Sequence, residues 1–227
     1  MKLTTIAFLA LLQSTAMAAS APADPYPAMA PLAQYLMPGA DEIALARTAA
    51  PEAISKDADV MVLRKAGYAT AAKGTNGFMC LVERGWAGDS SFADFWNARQ
   101  RAPICFNPAA VATWVPIYLM KTQLALAGKS KTEIVQATRA ALDDGRLPAI
   151  APGAMCFMMS KQQYLNDDDK AWRPHTMFFV PSDAKTWGAN VKGSPVMAAD
   201  DPEEHVTIFM IPADHWSDGS AAPGMHH

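Results

Sequence analysis

The strongest constraint on the fold of this chain is the position of two helical patterns between two groups of short apolar runs. Apolar residues recur at helical spacing after Asn107 and again after Ser130, and a glycine ends each pattern. Asn before Pro is a typical helix start, and Ser130 with Glu133 matches a capping box. The sequence therefore predicts a helical hairpin, whose first helix bends at Pro116.

Three β-type runs precede these helices, at residues 60–63, 68–72 and 78–82. Turn residues separate them, and Asn76-Gly77 is a strong short hairpin signal because both residues tolerate a positive φ. These features predict an antiparallel three-stranded β-meander.

Three further apolar runs follow the helices, at residues 154–159, 176–180 and 206–211. No internal repeat of fixed period is present, which argues against solenoids and propellers. The pattern predicts an α+β fold. In it a mostly antiparallel sheet, formed by the N-terminal β-meander and the C-terminal strands, packs on the helical hairpin.

The N-terminus has the features of an export signal. A Lys at position 2 precedes an apolar stretch, and Ala16-Met17-Ala18 resembles an A-x-A cleavage site. The predicted organisation is a signal peptide at 1–18, an Ala/Pro-rich arm at 19–38, one α+β domain at 39–217 and a flexible tail at 218–227. We therefore expect a soluble bacterial-type protein, periplasmic or secreted, without a membrane span.

The charge balance narrows the choice of partners. The chain has 19 basic and 22 acidic side chains, for a net charge of −3. Such mild acidity gives no reason to expect nucleic acid as a partner. A small molecule or a component of the cell envelope is the expected partner.

Three cysteines are present, so one intramolecular disulfide leaves one thiol over. Export implies an oxidising compartment, in which a disulfide persists. Cys80 and Cys105 both lie beside predicted loops and would close a ring of modest size, so they are the preferred pair. The alternative is that all three thiols are buried and unpaired.

All five histidines lie in the last quarter of the chain, and three of them, His175, His205 and His215, flank predicted strands. If those strands are adjacent, His175 could approach either His205 or His215, depending on strand direction. The preferred general-base pair is His175 with His215, with Asp214, Asp218 or Cys156 assisting. The alternative is that the strand-end histidines bond to backbone or water and that residues 216–219 form a turn. No metal is predicted, because HExxH and paired histidine spacings are absent from the sequence.

Aromatic residues suggest a second kind of site. Trp86, Trp96 and Trp187 could form a concave binding surface, although the region 85–108 also fits a long loop held by its own aromatic side chains. No phosphate-binding or dinucleotide motif is present, so no cofactor is predicted. The favoured function is a binding or envelope-associated domain, and the alternative is a hydrolase that uses His175 and His215.

Overall fold

The computed structural model describes residues 25–88, 92–181 and 184–223. Five α-helices are present in this part of the chain: α1 Gly39–Arg47, α2 Glu52–Ser55, α3 Pro108–Thr113, α4 Val115–Leu126 and α5 Lys131–Asp143. The strands are β1 Asp59–Arg64, β2 Gly67–Ala72, β3 Met79–Glu83, β4 Ala102–Phe106, β5 Met155–Met158, β6 His175–Val180, β7 Met197–Asp201 and β8 Val206–Pro212.

The eight strands form one sheet in the order β2-β1-β3-β4-β5-β6-β8-β7. Every neighbouring pair is antiparallel except β1 and β3, which run parallel. The prediction of an α+β fold with a mostly antiparallel sheet is therefore confirmed.

The predicted N-terminal β-meander is wrong. Strands β1 and β2 form an antiparallel hairpin, but β3 pairs in parallel with β1 on the side away from β2. The predicted turn at Asn76-Gly77 does not reverse the chain beside β2. Gly77 has a φ of 77°, whereas Asn76 is not among the residues of positive φ, which the expected two-residue hairpin turn needs at both positions.

The loop after β2 runs back to the start of β1 because hydrogen bonds hold it there. The amides of Thr75 and Asn76 donate to the Asp57 carbonyl, and the Gly74 amide donates to Asp59 Oδ1 at 2.7 Å. A β-carbon at Gly74 would lie 2.1 Å from the Asp57 carbonyl oxygen, so only glycine fits this approach. These bonds carry the chain back past the beginning of β1, and β3 then starts parallel to it.

The two faces of the sheet have separate coverings. One face, here called the helical face, carries Leu81, Ile104 and Phe106, and helices α3 to α5 add residues to its hydrophobic cluster. The opposite face, here called the α1 face, carries Val60, Cys80 and other small apolar side chains that pack with helix α1. Alternation along each strand places successive side chains on opposite faces.

The helix signals near residues 107–133 are reproduced in detail. Asn107 caps α3, and Ser130 with Glu133 makes the predicted capping box of α5. The single helix expected before residue 128 is divided at Trp114 into α3 and α4, with Pro116 in the first turn of α4. Helix α4 contacts the sheet through the Tyr118 ring. That α4 and α5 pack on the sheet as a hairpin stays a prediction.

The predicted signal peptide lies outside the described residues, so the division of the chain into signal, arm, domain and tail stays a prediction. Within the predicted arm, Tyr35 is fully buried and its hydroxyl donates to the Trp96 carbonyl at 2.8 Å. Within the predicted tail, Asp218 pairs with Lys161. Among the helices that the structure describes, none has the length and apolar character needed to cross a membrane.

Candidate functional site

A cavity of about 370 Å³ lies on the helical face of the sheet, over its C-terminal half. Its floor consists of residues of strands β3 to β8, among them the alternate residues His175, Met177 and Phe179 of β6. Trp114, helix α4 and residues within 85–88, 92–94 and 165–172 form the walls. The exposed Phe92 is one of the wall residues, at the rim. We call this space the Glu83 cavity.

Most of the lining is apolar. Methionines 158, 177 and 210 and Ile208 line the sheet side, and Trp114, Tyr118 and Trp172 line the other sides. The Trp114 ring stacks on Phe179 with ring centroids 4.4 Å apart, so the aromatic wall is fixed by its own packing. The volume and the apolar walls are typical of a small-molecule site.

Glu83 is the central polar residue of the cavity. It is the last residue of β3, only 5% exposed, and its Oε2 accepts a hydrogen bond from the Tyr118 hydroxyl at 2.9 Å. Burial raises the pKa of the Glu83 carboxyl to about 7, although the Tyr118 hydrogen bond and the charge of Lys121 oppose this rise. A carboxyl with this pKa exchanges its proton near neutral pH.

A buried ion pair lies beside Glu83. Lys121 Nζ donates to Glu204 Oε1, and also to the carbonyls of Ala87 and Gly88 at 3.1 and 3.0 Å. These bonds attach the segment before residue 88 to helix α4 and to the turn between β7 and β8. Glu204 lines the cavity with its charge already paired, whereas Glu83 has a hydroxyl as its hydrogen-bond partner.

His175 begins strand β6 and lines the same cavity at 3% exposure. Its Nδ1 lies 2.7 Å from the Arg173 carbonyl oxygen, which only accepts, so Nδ1 carries the proton and Nε2 is left as an acceptor. Burial lowers the pKa of the His175 imidazole to about 4, which keeps the ring neutral at pH 7. The Trp172 ring packs edge-on against it.

The other members of the predicted hydrolase centre lie elsewhere. His215 is exposed in a turn after β8, where it forms a backbone bridge with Ala221, and it is not a lining residue of the cavity. Asp218 is exposed in the same turn. A side-chain hydrogen bond from Ser220 is the main cause that lowers the pKa of Asp218 to about 2. Residues 216–219 form the turn that was the alternative interpretation.

The three predicted binding tryptophans do not share a surface. Trp86 and Trp96 are buried in the core, and Trp86 Nε1 donates to Thr122 Oγ1 at 3.0 Å. Trp187 is 43% exposed and stacks on Phe209, whose side chain is on the α1 face. The Trp86 and Trp96 rings are therefore part of the hydrophobic core, and Trp187 lies on the side of the sheet away from the Glu83 cavity.

The predicted disulfide joins Cys80 of β3 to Cys105 of β4, which are directly opposite in the antiparallel pair. The remaining thiol, Cys156, is buried, and burial raises its pKa well above the ordinary value, so it is poorly suited to act as a nucleophile. Among the described residues, no group of three or more His, Cys, Asp or Glu side chains is arranged to hold a metal ion.

Comparison with known proteins finds no matching family model, no similar curated protein and no similar solved structure. Function therefore has to be argued from the residues of the site.

The sequence reasoning found His175 but missed Glu83, Tyr118 and Lys121. One signal was available, because Lys121 is the only charged residue in the otherwise apolar segment of α4, residues 115–126. A lone charge in an apolar helix needs a buried partner. Glu83 gave a similar signal at the end of an apolar strand, but which residues meet it depends on the pairing of β3 and on the position of α4.

Proposed function

We propose that this protein is an exported binding domain whose ligand is a small, largely apolar molecule that occupies the Glu83 cavity. The observation that carries the proposal is the combination of apolar walls with two buried polar side chains, Glu83 and His175, in a space of about 370 Å³. Such cavities bind small molecules by burying their apolar surface, while a few polar groups fix their orientation.

Export is part of the same proposal. The Cys80–Cys105 disulfide supports it, because such bonds persist in oxidising compartments and are rare in the cytosol. The predicted signal at residues 1–18 gives the route. An envelope component that exposes a short apolar group would also fit the cavity, so the ligand need not be a free metabolite.

Two residues of strand β7 allow a sharp test. Ala199 lines the cavity, whereas its neighbour Ala198 does not and so gives a matched control on the same strand. We expect the purified protein to bind the neutral fluorescent probe N-phenyl-1-naphthylamine. Ala199→Phe fills the cavity and should weaken binding about tenfold or more, and Ala198→Phe should leave it unchanged.

The measurement is a fluorescence titration, with circular dichroism to establish that both variants are folded. The proposal fails if the wild-type protein does not bind the probe. It also fails if Ala199→Phe, folded, binds the probe as tightly as Ala198→Phe does.

The hydrolase alternative has less support. It needs His175 and His215 in one pocket, but only His175 lines the Glu83 cavity. Hydrolysis of a chromogenic acetyl ester that is lost in both His175→Gln and His215→Gln variants would favour this alternative over a binding domain.

A further inference from the structure

The polar groups at the centre of the Glu83 cavity offer hydrogen-bond acceptors. Glu83 uses Oε2 to accept from Tyr118, and within the described part of the chain its Oε1 has no hydrogen-bond partner. Gly88 leaves room beside this oxygen, since a β-carbon at that position would come within 3.2 Å of it. An unpaired oxygen on a side chain that is only 5% exposed can accept a hydrogen bond from a ligand in the cavity.

His175 also has a hydrogen-bond acceptor without a partner among the described residues. Its Nδ1 is used by the Arg173 carbonyl, and its Nε2 has no hydrogen-bond partner among the residues described. Because the proton stays on Nδ1, Nε2 accepts and does not donate. A ligand that meets both Glu83 and His175 therefore has to bring N–H or O–H groups of its own.

The charge of the lining has one sign. Within the ranges that the structure describes, no Lys or Arg lines the cavity. Five acidic side chains do: Glu83, Asp94, Asp169, Asp201 and Glu204. Lys121 balances Glu204 from behind the wall. An excess of negative charge favours a cation and opposes an anion at close range.

The aromatic rings of the lining also favour an organic cation as the ligand. Trp114, Tyr118 and Trp172 line the cavity, and the faces of such rings attract organic cations. Their carbon surface also suits the apolar part of a ligand. A metal ion, which is small and needs several oxygen ligands, would make no use of these walls.

We propose that the Glu83 cavity binds organic ammonium ions with an apolar body, in which the ammonium group donates to Glu83 Oε1. A further N–H or O–H group of the ligand would donate to His175 Nε2, which lies three strands away in the sheet. This inference rests on the proposed function, because it specifies the class of ligand for the same cavity. Glu83 is the charged partner, and the aromatic and methionine side chains enclose the rest of the molecule.

Three compounds of one shape test the choice of charge. Phenethylamine is a cation at about pH 8, phenethyl alcohol is neutral, and hydrocinnamate is an anion. In isothermal titration calorimetry, the purified protein should bind phenethylamine at least about tenfold more tightly than phenethyl alcohol. Hydrocinnamate should bind more weakly than either compound.

Glu83→Gln keeps the size of the side chain and an acceptor for Tyr118 but removes the charge. It should reduce the affinity for phenethylamine about tenfold or more and leave that for phenethyl alcohol nearly unchanged. Glu203→Gln is the matched control, since it makes the same change at an exposed carboxylate that does not line the cavity. Retained binding of N-phenyl-1-naphthylamine shows that each variant is folded with an open cavity.

The outcomes separate the two proposals. If the naphthylamine probe binds in the cavity but the alcohol or hydrocinnamate matches phenethylamine, the ammonium inference is overturned and the binding function stands. An equal loss of phenethylamine affinity in Glu203→Gln and Glu83→Gln also overturns it, because Glu83 is then not the specific partner. If the naphthylamine probe does not bind, the proposed function itself has failed.

Discussion

Glu42 of helix α1 and Arg84, the residue after β3, form an ion pair that is closed to solvent on all sides. Arg84 Nη2 lies 2.8 Å from Glu42 Oε1, and both side chains are wholly buried. The Leu63 amide donates to the same carboxylate oxygen, and Arg84 Nε donates to the Tyr35 carbonyl. One ion pair thus connects α1, β1, β3 and the segment before α1 on the α1 face of the sheet.

Removing one charge of this pair should be costly. Glu42→Gln leaves the Arg84 guanidinium buried without a counter-charge, so we expect the free energy of unfolding to fall by about 3 kcal/mol. Glu203→Gln removes the carboxylate of an exposed pair with Arg139 and should change it by less than about 1 kcal/mol. Urea denaturation measures both, and equal effects of the two substitutions would contradict the prediction.

The disulfide should stabilise the fold. It closes a loop of 25 residues, for which chain entropy gives a contribution of about 3 kcal/mol. We expect a reductant, or the double substitution of Cys80 and Cys105 by Ala, to lower the free energy of unfolding by this amount. The Cys156→Ala variant should be destabilised by a reductant as much as the wild-type protein is, because it keeps the disulfide. A thiol titration of the unfolded, unreduced wild-type protein should count one free thiol.

Glu83 should make stability depend on pH near neutrality. Its native pKa of about 7 exceeds the ordinary value of 4.5, so its contribution is complete below about pH 4.5 and is lost as the pH rises through 7. Over this pH range the contribution of Glu83 to the free energy of unfolding falls by roughly 3 kcal/mol. Tyr118, Lys121 and Glu204 influence the pKa of Glu83, and Glu83 in turn influences the pKa values of Cys156 and Tyr68.

Glu83→Gln isolates this effect. Across the range from pH 4.5 to 7, the stability of the wild-type protein should fall relative to that of the variant. Denaturation curves at several pH values measure the difference, and two parallel pH profiles would show that the native carboxyl has an ordinary pKa.

His175 should act in the opposite direction. Its native pKa of about 4 is below the ordinary 6.5, so its contribution is complete above about pH 6.5 and is lost as the pH falls through 4. His175→Gln should remove this acid sensitivity, worth roughly 3 kcal/mol. His215→Gln, at an exposed position, should behave like the wild type, and an identical response of the two variants would argue against a buried neutral His175.

Six of the eight strands were predictable because their apolar runs are long or strongly β-type. The runs of β4 and β7 gave weaker signals. β4 contains Pro103, which normally argues against a central strand. Here the ladder with β5 includes only Cys105 and Phe106, so Pro103 lies outside it. β7 has a short, Ala- and Asp-rich sequence, and its strand structure depends on pairing with β8.

The parallel pairing of β3 and the composition of the cavity could not be predicted, for a related reason. Both depend on contacts between distant segments, such as Gly74 with Asp57 and Lys121 with Glu204. Local patterns reveal which residues prefer a strand or a helix, but they do not reveal which segments meet. His175 was found because a strand-end histidine is visible in the sequence, whereas its proposed partner in binding, Glu83, is 92 positions away in the chain.

The order of strands in the sheet also determines how a chain that emerges N-terminus first could assemble. No strand pairs with one more than two places away in the series β1 to β8. Each strand therefore pairs with a strand that appears close to it in chain order, so the sheet can grow in the order in which the strands emerge. Cys80 and Cys105 both precede helices α3 to α5, so the disulfide can join β3 to β4 before the rest of the protein has emerged.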